Sequence, residues 1–255
     1  DDRTFPGGVG GVRRLVQLDS CAQALEGDDG DITGPNADMT PEEKARCATY
    51  RMVRDEEDPL PFPDGTFDLV ISSGALHWVN DLPGAVAEMF RVLKPDGCLL
   101  LAVVGGSTLP ELRSSLLLAE TERRGGVSPR VGPFTEGADV GSLLTNAGFA
   151  IPTVDVDTVR VGYPDAAVLM EHVQRMGEGN ASVRRKTGLA GWETFVAAVA
   201  ICDEMFPGEK DEDGNTGIEA TMQVIYAIGW TPHESQPKAK ERGSGSTKMG
   251  KGGKL

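Results

Sequence analysis

The chain has 255 residues, 39% of them hydrophobic and 5% aromatic, with a formal net charge of −14. That is enough apolar material for one large domain or two small ones, and no apolar run approaches the ~20 residues needed to span a bilayer. Residues 238–255, KAKERGSGSTKMGKGGKL, hold six basic side chains and one acidic, so residues 1–237 carry −19, which repels phosphate backbones and argues against nucleic acid as a partner.

FPGGVGG, residues 5–11, invites reading as a phosphate-cradling loop, but such a loop needs a strand before it and a helix after it. Nothing strand-like precedes Gly7, and after Gly8 and Gly10 the next required glycine position holds Arg13. Residues 1–11 therefore read as a Gly-rich linker. VRRLVQLD, residues 12–19, is the first predicted strand and ends at Asp19; SCAQALE follows as a short helix. GDDGDITGPNADMTPEEKAR has almost no apolar content and reads as a loop or insertion.

TYRMVR, residues 49–54, is a second strand, and FDLVISS, residues 67–73, a third of the continuously apolar kind buried on both faces. A helix is predicted over 82–93, with Asp81 as its cap, Pro83 in its first turn, and Leu82, Ala85, Val86, Met89, Phe90 and Leu93 on one face. KPDG, residues 94–97, supplies a turn, and CLLLAVV another buried strand. Strand, helix, turn and strand in that order make a βαβ unit with parallel strands.

Downstream, a Leu-rich helix is expected over 108–123, and another capped by Thr135 and stopped at Gly148. PTVDVDTVRV, residues 152–161, alternates as a strand with one wet face. Helices near 165–176 and 192–206 and a last strand, IEATMQVIYAIGW, complete one α/β domain over 12–237 that ends in a hairpin-like pair of strands. Residues 238–255 read as a basic disordered tail. The four cysteines, Cys21, Cys47, Cys98 and Cys202, lie far apart with no CxxC pair, which suits reduced thiols rather than a zinc site.

In an open parallel sheet ligands bind beyond the carboxyl ends of the strands. Asp19 ends the first strand, where a carboxylate can accept from both hydroxyls of a ribose. Asp55 and Glu56 follow the second, where a carboxylate can accept from an adenine amino group. Ser72 and Ser73 end the third. No carboxylate pair or catalytic triad stands out.

The stretch RDEEDPLPFPDGTFDLVISSGALHWVNDLPGAVAEMFRVLKPDGCLLLAVV resembles the middle of class I S-adenosylmethionine-dependent methyltransferases, in the order and spacing of its LPF turn, FDLV strand, helix and LKPDG turn. GGSTLPELRSSLLLAETERRGGVSPRVGPF, VDVDTVRVGYP, IYAIGWTPHESQ and ERGSG narrow the resemblance to the mitochondrial complex I assembly factors described as arginine hydroxylases, with biotin-pathway malonyl-carrier methyltransferases more distant. The resemblance implies a Rossmann-like α/β sheet and S-adenosylmethionine as cofactor. It makes Asp19 the ribose acid with Ser20 beside it, Asp55 and Glu56 the adenine edge, Ser72 a neighbour of the methionine portion, and His77 with Trp78 the acceptor side. It also implies a complex I subunit as client and the mitochondrial matrix as location, peripheral to the inner membrane.

The family's first strand and Gly-rich loop, which lie centrally in its sheet, have no counterpart before VRRLVQLD. A fragment is therefore expected, binding the cofactor weakly or not at all. An arginine hydroxylase is expected to hold an oxygen-activating metal, commonly by two His and a carboxylate, yet His77, His172 and His233 form no His-x-Asp motif. The alternatives are an O-methyltransferase of a small or carrier-bound acid, for which alignment of the acceptor is the main task, and a non-catalytic docking module for a basic client.

Overall fold

The computed structural model describes residues 12, 14–25, 48–126, 130–132, 134–179, 191–210 and 216–237. The linker over 1–11, the polar stretch over 27–46 and the tail over 238–255 lie outside the described residues.

The first strands are β1 (Arg14–Asp19) and β2 (Ala48–Val53), which pair in parallel with Asp19 opposite Val53; a short helix, α1 (Ala22–Leu25), follows β1. Then come β3 (Phe67–Ser73), a single 3-10 turn (Leu76–Trp78), α2 (Leu82–Val92) and β4 (Leu93–Val104). Asp81 caps α2 by accepting from the Gly84 amide, and Pro83 lies in the first turn, where its missing N–H costs nothing. The expected βαβ unit is formed, with β3 and β4 parallel. After these come α3 (Pro110–Arg124), α4 (Gly137–Ala147), β5 (Ala150–Tyr163), α5 (Ala166–Arg175), α6 (Trp192–Met205), β6 (Pro207–Lys210) and β7 (Thr216–Trp230).

Two sheets result. β1 and β2 form one; the other has the order β3-β4-β7-β5, with β6 paired to β7. β7 runs antiparallel to β4, β5 and β6; the two last strands read from the sequence, β5 and β7, pair side by side, β7 lies between β4 and β5, and the short β6 was not foreseen. Among the described residues β1 and β3 share no ladder.

The core divides accordingly. Val86 and Met89 of α2 and Leu144 of α4 pack on Leu99, Leu101 and Val103 of β4 and Ile225 of β7. Leu112 and Leu116 of α3, Leu169 of α5 and Ala198 and Cys202 of α6 pack with Ile218 of β7.

Three expectations need correction. The third strand was expected to be buried on both faces, but Ile71 is 64% exposed and Leu69 and Leu100 are exposed beside it, as is Tyr226. The helices α2 and α4 cover only one face of β3 and β4, and β3 is an edge strand among the described residues, so the alternate side chains have no layer against them. The KPDG segment is not a separate turn but the kinked start of β4, with Asp96 at φ +64°. Thr231, just past β7, holds the kink: its hydroxyl donates to the Lys94 carbonyl and accepts from the Gly97 amide at 2.8 Å. A Cβ on Gly97 would lie 2.7 Å from the Lys94 carbonyl oxygen, so only glycine fits this bend. Finally, α4 is capped by Glu136 rather than Thr135, in a reciprocal capping box with Asp139. The stop at Gly148 is as expected, at φ +100°.

Candidate functional site

Parallel strands present their free backbone ends on one side, and the residues just past them form the walls of any ligand crevice. Here the relevant ends are those of β1, β2 and β3. Asp19 closes β1, and its Oδ1 accepts from the Cys21 amide at 2.8 Å, an Asx-type turn that fixes the carboxylate and leaves Oδ2 for another donor. Its own carbonyl accepts from the Arg54 amide at 3.0 Å, so the ends of β1 and β2 are laced together. Asp55 repeats the device, with Oδ1 accepting from the Glu57 amide at 2.9 Å. The structure thus brings Asp19 and Asp55 to adjacent strand ends in the same local geometry. Ser20 is exposed, and Glu56 is half-buried in the turn after Asp55.

The loop that follows is anchored by residues the sequence did not single out. Glu57 Oε1 accepts from both the Asn80 amide and Asn80 Nδ2, each at 2.7 Å, which ties the loop after β2 to the segment after β3. Arg91, on α2, donates to the carbonyls of Leu60 and Phe62, to Asp64 and to both oxygens of Glu88. Glu88 accepts in turn from the Leu60 amide at 2.9 Å. The hydrogen bonds from Arg91, aided by the one from Leu60, hold the Glu88 carboxyl below its ordinary range despite partial burial.

A depressed carboxylate pKa stabilises the fold above its unfolded value, and that contribution is lost as pH falls through the folded value. The anchoring therefore holds at neutral pH and fails on acidification. Arg91→Ala should release the loop at every pH: cleavage by endoproteinase Asp-N on the N-terminal side of Asp64 should become about tenfold faster at pH 7. An unchanged cleavage rate would show that Arg91 does not hold it.

At the end of β3, Ser72 lies opposite Leu101 and Ser73 opposite Ala102, and Gly74 turns the chain at φ +69°. His77 and Trp78 then fill the 3-10 turn. The His77 side chain is 2% exposed, and Nε2 lies 2.9 Å from Oε2 of Glu178, 101 residues away. Its ring contacts those of Trp78 at 5.1 Å and Phe134 at 6.1 Å. Phe134 is brought there by a parallel bridge between Gly105, at the end of β4, and Thr135. The buried ion pair of Glu120 with Arg130, at 2.6 Å, anchors the stretch leading to it. Nδ1 of His77 is buried and has no hydrogen-bond partner among the described residues. The sequence brought His77 and Trp78 forward; nothing in it marked Glu178 or Phe134, because their proximity is made by the sheet.

The other two histidines are engaged elsewhere: His172 packs on Tyr163, and His233 Nδ1 meets the Ser235 hydroxyl at 2.8 Å. Among the described residues no three His, Cys, Asp or Glu side chains stand close enough to share a metal, and no helix is long and apolar enough to cross a membrane. Burial pushes the thiols of Cys98 and Cys202 up, so neither is a ready thiolate.

Residues 13–101 match the family of methyltransferase domains. Two solved structures share the fold over 87% of this chain and 84% of their own, at 17% identity: the YcgJ protein of Bacillus subtilis, with a TM-score of 0.52, and a candidate methyltransferase of Bacillus halodurans, with 0.53. In sequence the chain is 50% identical over 207 residues to human "Arginine-hydroxylase NDUFAF5, mitochondrial", covering 81% of this chain and 58% of the relative. The Dictyostelium discoideum protein of the same name is 45% identical over 197 residues, 77% of this chain and 44% of its own. A malonyl-[acyl-carrier protein] O-methyltransferase of Laribacter hongkongensis is 32% identical over 183 residues, 72% of this chain and 57% of its own. The chain thus spans about half the length of the curated relatives it matches.

Proposed function

We infer that this chain, which has the class I methyltransferase fold and a methyltransferase domain over residues 13–101, binds S-adenosylmethionine at the strand ends and acts on an arginine of a protein client in mitochondrial complex I assembly. The observation that carries the reading is the 50% identity to relatives named arginine hydroxylases, sustained over 207 residues. The expected matrix location, peripheral attachment to the inner membrane and complex I client belong to the same inference, as does the single domain over 12–237.

The donor set suits the adenosine half of the cofactor. Asp19 and Asp55 each keep one carboxylate oxygen outside the Asx turn, so each can accept from a hydroxyl or amino donor without losing its own orientation. Asp19, with Ser20 beside it, takes the ribose; Asp55 and Glu56 take the adenine edge; Ser72 stands where the methionine portion would lie. In the methyl-transfer reading the cofactor would supply an electrophilic methyl group. The protein's part is then orientation and exclusion of water, with His77 and Trp78 on the acceptor side.

Two measurements test the reading together. Calorimetric titration of S-adenosylmethionine into the chain should give saturable heat. Incubation of the protein, supplied with S-adenosylmethionine, dioxygen and a two-electron donor, with an arginine-bearing peptide from a complex I subunit should give a product whose mass has grown by one oxygen, the second oxygen atom of dioxygen leaving as water. Growth by one methyl group would overturn hydroxylation in favour of methyl transfer, the reading favoured by the 32% identity to the carrier-protein O-methyltransferase. Peptide binding that is unaffected by cofactor, with no mass change, would leave a docking module.

A further inference from the structure

The contact between His77 and Glu178 is a hydrogen bond between a buried ring and a half-exposed carboxylate, with side-chain exposures of 2% and 36%. An ionised carboxylate can only accept, so Nε2 carries the proton. Nδ1 is buried with no partner among the described residues. The bond orients the Glu178 carboxylate.

The carboxylate is also held from its own side. Glu178 follows α5 through Gly177, which adopts φ +80°; the Glu178 amide donates to the Val173 carbonyl at 3.1 Å and the Gly177 amide to that of Gln174 at 3.1 Å. These two bonds are the Schellman pattern, which fixes the residue just past a helix end. A side chain clamped by its backbone at one end and by a buried imidazole at the other, and still 36% exposed, is a preorganised acceptor. It lies beside the turn that follows β3, where ligands of such sheets bind. The planar indole of Trp78 lies against the same imidazole.

We propose that Glu178 is the carboxylate that receives the guanidinium of the substrate arginine, and that His77 is a positioning residue which orients Glu178 for that contact. This rests on the arginine reading above. A guanidinium presents five donors in a planar fork, matched by a carboxylate and by an aromatic face, and has no acceptor of its own. The fit is therefore to guanidinium rather than to the carboxylate of an acyl substrate, which Glu178 would repel.

The test uses N-acetyl-arginine amide and its neutral, similarly shaped counterpart N-acetyl-citrulline amide, titrated by calorimetry into the chain and into Glu178→Gln, His77→Phe and His77→Gln. Native protein should prefer the arginine probe. Glu178→Gln, at a half-exposed position, should weaken arginine binding about 10–100-fold and abolish the preference, as expected for loss of a hydrogen bond to a charged group. His77→Phe should lower arginine affinity in part, and His77→Gln, which restores a donor, should recover some of it; a residue that only packs would not respond to a restored donor. Arginine binding equal in the native protein and Glu178→Gln would overturn this assignment and leave the arginine reading standing. No binding of either probe, or equal binding of both by the native protein, would overturn both. The ring itself gives an independent check: nitrogen-15 spectra should show His77 with its proton on Nε2, and a proton on Nδ1 would remove the basis of the proposal.

Discussion

Leu99→Ala should lower the free energy of unfolding by about 2–5 kcal/mol, read from urea denaturation at constant slope. Leu99 is 0% exposed and sits in β4 beneath Val86 and Met89 of α2 and Leu144 of α4. Truncation removes the transfer energy of its methyls and leaves a cavity that three packed elements cannot collapse into. Against a total of about 5–15 kcal/mol for a typical domain, this is a large share. One residue along, the opposite result is expected of the other face. Leu100 pairs in register with Ile71, and Ile71 is 64% exposed. Ile71→Thr should change stability by no more than about 0.5 kcal/mol, the usual range for surface substitutions. A loss as large as that of Leu99→Ala would mean that something covers this face in solution. The pair of variants thus measures whether the apolar face of Leu69, Ile71, Leu100 and Tyr226 is bare.

The second large effect is expected at Asp19. Asp19→Ala should weaken S-adenosylmethionine binding about 10–100-fold relative to the unsubstituted chain, whatever the absolute affinity, because a carboxylate accepting from two hydroxyls makes charge-assisted hydrogen bonds. The substitution also removes the acceptor of the Cys21 amide, so Asp19→Asn is the companion. Asparagine keeps an oxygen for that turn but replaces the other acceptor by a donor. If both variants lose affinity alike, the carboxylate itself holds the ribose. If only Asp19→Ala loses it, the turn matters and the ribose assignment is wrong. Asp55→Asn belongs in the same series, since its Oδ1 bond to the Glu57 amide copies the arrangement at Asp19.

What the sequence by itself determined was whatever depends on short-range pattern. The 3.6-residue spacing of Ala85, Val86, Met89 and Phe90, with Asp81 before and Pro83 within, determined α2 to within a residue. The apolar run of FDLVISS determined β3 at both ends, and the βαβ order determined that β3 and β4 run parallel. Strand ends could be read too, and with them Asp19, Asp55, Ser72 and His77 as residues worth attention. Cap chemistry was less legible: Thr135 and Glu136 are adjacent acceptors, and the choice fell to Glu136 because Asp139 closes the reciprocal bond.

The tertiary structure decided what depends on distance along the chain. An apolar run states only that its residues prefer burial; which face receives a helix layer depends on where the helices return, and here α2 and α4 return to the same side. The KPDG bend is held by Thr231, more than 130 residues later. Glu178 reaches His77 only because α5 ends with a Schellman turn beside the 3-10 turn after β3. Hydrogen bonds of this kind carry no periodicity, since either partner alone reads as an ordinary polar residue. The carboxylate that faces the proposed substrate was therefore invisible until the fold brought it to the ring.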